Sequence, residues 1–123
     1  MTNVVNMSSW IDYFKHFTER NKNRPVRLEH FGNSGAEQVD CLPLTGVSVE
    51  LEGEEAPRVE IMFGGKSAAK GEHLTHTIKS VKQIMRQTGK DNRESAVGFQ
   101  SKGEKIALLC FESKSGVPLE QIC

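Results

Sequence analysis

The sequence predicts an α+β domain, with one N-terminal helix packed on an antiparallel β-sheet or partly open barrel of about six or seven strands. Three observations predict it. An aromatic stripe at helical spacing lies near the start, two stretches of alternating apolar residues read as hairpins, and the last clear strand is apolar on both faces.

The helix comes first. Trp10, Phe14 and Phe17 fall at i, i+4 and i+7, so they share one face, while Asp12, Lys15 and Glu19 point elsewhere. Ser9 reads as the N-cap, with Asp12 three residues on as the reciprocal acid of a capping box. Pro25 disfavours helix at the residue before it, so a helix over 9–21 is expected. A stripe this apolar must be sheltered by another element. Residues 1–7 are expected to fray.

Strands follow. Val26 and Leu28 alternate with Arg27 and Glu29, and residues 32–41 are a polar connection with turn chemistry at Asn33 to Gly35. Val47, Val49 and Leu51 alternate with Ser48, Glu50 and Glu52. Beyond Gly53 to Pro57, Val59, Ile61 and Phe63 repeat the pattern, which makes a hairpin with one wet face. Gly64 to Gly71 is a small-residue loop. Residues 74–88 are ambiguous. Leu74, Ile78, Val81 and Met85, with Gly89 as a C-cap, fit a helix, whereas the β-branched Thr75, Thr77, Ile78 and Val81 fit strands. A second hairpin turns at Ser101 to Glu104. Its outgoing strand, Ile106 to Phe111, is apolar on both sides, so one face should meet the core and the other be covered, with the N-terminal aromatic stripe as the cover. Residues 113–123 are expected as a loose tail, with Val117, Leu119 and Ile122 available to dock.

A chain of 123 residues with 37% apolar and 26% charged residues suits one globular domain, 1–123. Its 16 basic and 16 acidic residues cancel, so no general field gathers nucleic acid or anionic lipid, and nucleic-acid binding is not expected. The longest apolar run is far shorter than the roughly 18 residues a spanning helix needs, so no membrane association is expected. Cys41, Cys110 and Cys123 are odd in number and widely spaced, which is read as reduced thiols in a cytoplasmic protein.

No chemical motif is complete. Gly64-Gly65-Lys66-Ser67 matches the end of a phosphate loop, but position 60, where the loop needs glycine, is Glu. His73 and His76 are the candidate ligand-binding residues. On a helix they would share a face and could hold one metal, while on a strand they diverge. Glu50, Glu52 and Glu60 lie on the wet hairpin face, and a register placing Glu50 or Glu52 opposite Glu60 would pair carboxylates. Lys79, Lys82, Arg86, Lys90 and Arg93 form a basic stretch without interleaved aromatics, which reads as a solvated face. No catalytic residue, metal set or cofactor is assigned.

Trp10 opening the helix, Leu42-Pro43-Leu44-Thr45-Gly46, His73-Leu74-Thr75-His76-Thr77-Ile78 and the closing Gly103 to Phe111 strand together resemble a family of short bacterial proteins grouped as a domain of unknown function, over about residues 10–112. The resemblance implies a proline at the position of Ser80, which splits residues 73–87 into two strands. A second helix near 74–88 is the alternative. No activity, cofactor or catalytic residue is implied. The expected function is therefore a small non-enzymatic binding or assembly module, holding a protein partner or a second copy by a strand edge or groove. The alternatives are a small-ligand or metal binder near His73 and His76, and a small enzyme whose site assembles from distant residues.

Overall fold

The computed structural model describes residues 2–31, 39–64, 73–89 and 92–123. One helix, α1 (Trp10–Asn21), packs on an antiparallel sheet of eight strands. The strands are β1 (Thr2–Val5), β2 (Pro25–Phe31), β3 (Val39–Glu50), β4 (Arg58–Gly64), β5 (His73–Ile78), β6 (Val81–Thr88), β7 (Glu94–Ser101) and β8 (Lys105–Cys110). Their order across the sheet is β1-β6-β7-β8-β2-β3-β4-β5.

That order dictates curvature. β5 is one edge and β6 lies next to the other, yet only Lys79 and Ser80 join them, so the sheet must curl until its ends approach. Among the described residues it stops short of closure, with β1 and β5 as edges. Backbone bonds hold the corner: Ser80 N–H donates to the Glu55 carbonyl (2.8 Å) and Lys102 N–H to the Ser80 carbonyl (3.0 Å). Ser80 has φ 53°, which a proline, locked near −65°, cannot adopt. The segment is thus two strands, not a helix, with a serine corner that excludes the proline the resemblance implies.

The core lies on the concave face. Val26, Leu28, Val59, Ile61, Phe63, Val97, Phe99, Ala107 and Leu109 line it, and the stripe of α1 fills it. Trp10, Phe14 and Phe17 are buried as the spacing predicted; Phe14 stacks on Phe99 at 5.8 Å and Phe17 meets Phe111 at 5.8 Å. The helix reaches β3 closely because Gly46 has no side chain there. The Thr18 hydroxyl accepts from Val47 N–H (3.1 Å), and a Cβ on Gly46 would stand 3.1 Å from Thr18 Cγ2.

Several expectations are corrected. Core and helix cover the same face of β8; on its outer face Ile106 and Leu108 stay half-exposed, and Cys110 is buried. Ser9 makes no side-chain cap, because Met7–Ser9 forms a 3-10 turn that leads directly into α1. Residues 2–5 do not fray: β1 pairs with β6, and Trp10 Nε1 donates to the Val5 carbonyl (2.9 Å). Among the described residues the sheet has eight strands, because this N-terminal strand joins it. The tail is ordered too. Glu112 bridges Pro118, Leu119–Gln121 forms a 3-10 turn, and Leu119 is buried, although Ile122 is exposed. Cys41 and Cys123, expected as free thiols, form a disulfide (Cα–Cα 5.8 Å) that folding brings together across 82 residues; Cys110 is the free, buried cysteine. Among the described residues no helix is long and apolar enough to cross a membrane.

Candidate functional site

A cavity lies between the end of β5, the β7–β8 turn and the end of β2. Its volume is about 450 Å³. Ile78, Ala107 and Ser101 form the inner part, and Lys79, Lys102 and Lys105 stand around it. Each lining residue has a local reason for its place. Ile78 and Ala107 are inward positions of strands that alternate, Lys102 belongs to the β7–β8 turn, and Lys79 to the β5–β6 corner. Glu55 pairs with Lys79 at 3.3 Å, so a cationic excess remains at this mouth.

The two histidines singled out from sequence separate. His73 is exposed at the start of β5, whereas His76 faces inward with Ile78, as strand alternation requires. What His76 meets is His30 of β2, ring centroids 4.4 Å apart, and His30 lines the cavity. The pair is thus His30 with His76, not His73 with His76. His30 was legible, because Val26, Leu28 and His30 continue one alternation that puts all three on the core face. Its meeting with His76 was not, since β2 and β5 are three places apart in the sheet and touch only through its curl. Lys102, in the turn, and Lys105, at the start of β8, carried no signal of their own. Among the described residues no group of three metal-ligating side chains forms.

The carboxylate pairing is excluded by register. Glu50 stands opposite Arg58, Val49 opposite Val59 and Ser48 opposite Glu60, two residues away from the register that opposes Glu50 to Glu60. Leu51 falls outside β3 and is 40% exposed. The glycine-lysine-serine segment at 65–67 lies outside the described residues.

One buried carboxylate escaped the sequence reading. Glu94, 2% exposed, accepts from the Arg20 guanidinium (Nε at 3.1 Å) and from Asn21 Nδ2 at 3.4 Å. Arg24 donates to Asn21 Oδ1 (2.7 Å) and to Glu120 (2.6 Å), with its guanidinium 4.2 Å over the Phe111 ring. The cluster ties the end of α1, the start of β7 and the tail together.

The edge strand beside the cavity has its own chemistry. Among the described residues β5 pairs with β4 alone, running from Val59 opposite Ile78 to Gly64 opposite His73. Natural edges are commonly guarded by lysine, proline, bulges or shortness. β5 is six residues, His-Leu-Thr-His-Thr-Ile, in regular register with no lysine, proline or bulge. The other edge, β1, is four residues. Comparison with protein-family models, with curated proteins and with solved structures finds no match to this chain.

Proposed function

We propose that this protein is a non-enzymatic binding module that receives an extended segment of a protein partner as an added strand along β5. The observation that carries the reading is the unguarded edge of β5: a six-residue strand with one neighbour among the described residues, ending at a lysine-rimmed cavity. Main-chain hydrogen bonds along such an edge supply affinity, and a pocket beside it supplies specificity for one side chain. The charge of Lys79, Lys102 and Lys105 selects a segment carrying Asp or Glu at that end.

Selection from a displayed library of random decapeptides tests the reading. The expected pool is rich in β-branched residues with a terminal acid, and its members slow amide hydrogen exchange at alternate β5 positions. Leu74→Glu, at a 45% exposed edge residue, should abolish the binding. No enrichment, or protection elsewhere with β5 untouched, overturns it. A second reading rests on the cavity itself: a small organic anion, its body on Ile78 and Ala107 and its charge among the lysines. Titration with glutarate that shifts Lys102 and Lys105 resonances, in protein that selects no peptide, would favour this alternative.

A further inference from the structure

We propose that Cys41 and Cys123 are a thiol–disulfide exchange site, a reversible latch that a low-molecular-weight dithiol or glutathione-type thiol opens. The Cys41–Cys123 bond differs from a staple on which a small domain depends. Domains too small for a core depend on disulfides, but here the core is complete without the tail: the connected cluster of buried side chains ends at Phe111 and includes no residue from 112–123. Both cysteines are exposed residues, so the bond lies at the surface, where thiol–disulfide exchange depends on access.

Little else holds what the bond holds. In residues 114–123 only Leu119 is buried. Leu119 N–H donates to the Phe111 carbonyl (2.9 Å), and the Ile122 and Cys123 amides donate to the Leu119 carbonyl (3.1 and 2.9 Å). Glu120, itself exposed, meets the largely buried Arg24 at 2.6 Å and the exposed Arg93 at 3.6 Å, and the latter pair adds little by itself. With the bond cut, the buried Leu119 with its N–H bond to the Phe111 carbonyl, the Glu112–Pro118 bridge and the Glu120 ion pairs are what remain to keep the turn down. Lifting it uncovers the Arg24 guanidinium on Phe111 and the Asn21–Glu94 cluster beneath.

The third cysteine stays out of the exchange. Cys110 is buried in β8, and burial pushes its thiol up, leaving little thiolate to attack. The step balances: two external thiols reduce one protein disulfide, giving two protein thiols and one external disulfide, with two electrons and two protons transferred. Oxidation is the reverse, with the external disulfide as oxidant.

Purified full-length protein in glutathione buffers of graded ratio tests this. Oxidised protein should show no thiol reactive to maleimide in the native state, and reduced protein two. On reduction the Leu119, Ile122 and Cys123 amides should exchange at least about tenfold faster while β7 and β8 stay protected, the mark of local opening. Cys41→Ser should show fast tail exchange in both buffers. The proposal is overturned if the bond resists every ratio, if the tail amides keep their protection on reduction, or if reduction unfolds the whole domain, which would make the bond a staple. Peptide binding at β5 plays no part in these outcomes.

Discussion

Two titratable side chains, the half-buried Tyr13 and the buried Cys110, are pushed upward in pKa by burial. Burial raises the pKa of Tyr13, and the nearby Glu94 charge raises it further, against the opposing pull of Arg86 and Arg20. Burial also raises Cys110, with Arg27 opposing and Glu29 and Glu112 adding. In both cases the native state keeps a proton that the unfolded chain releases, from about pH 8.5 for cysteine and about pH 10 for tyrosine. Their contribution is therefore fully present below those values and is lost as pH rises through the folded pKa. Urea midpoints should hold level to about pH 8 as far as these groups go, then fall. Tyr13→Phe should remove the part of the fall above about pH 10. An unchanged alkaline limb in that variant would show that the hydroxyl is not its source.

The contact that seats α1 on β3 depends on the absence of one side chain. A methyl at Gly46 would stand 3.1 Å from Thr18 Cγ2, so the helix or Thr18 must yield by a few tenths of an ångström. The Thr18 hydroxyl cannot move freely, because it accepts from Val47 N–H and sits 3.4 Å from the Val47 carbonyl. Gly46→Ala should therefore cost about 1–2 kcal/mol as overpacking. Thr18→Ser, which keeps the hydroxyl and removes the methyl, should recover most of it in a double-mutant cycle. Purely additive costs would mean that the strain lies in the β3 backbone.

For the molecule as a whole the Cys41–Cys123 bond acts mainly on the unfolded chain. It closes 82 residues, and the chain-entropy relation gives it about 4.5 kcal/mol. Cys123→Ser should lower the denaturation midpoint of oxidised protein by a matching amount without changing the native sheet. A loss below about 1 kcal/mol would show that native-state strain offsets the entropic gain. Local release of the tail and global loss of stability are separate effects of one bond, because they refer to different states.

Sequence periodicity alone determined the local structure: the helix with its buried Trp10, Phe14 and Phe17, the hairpin strands, and the inward face to which His30 belongs. These follow from side-chain spacing, which is a property of neighbours along the chain. Tertiary structure decided what meets across the sheet. The curl that sets His30 against His76, the register that parts Glu50 from Glu60, the recruitment of residues 2–5 as an edge strand, and the pairing of Cys41 with Cys123 all join residues far apart in sequence. No spacing rule encodes them, because each depends on how bulges and the Ser80 corner bend the sheet, and curvature is a sum over the whole fold.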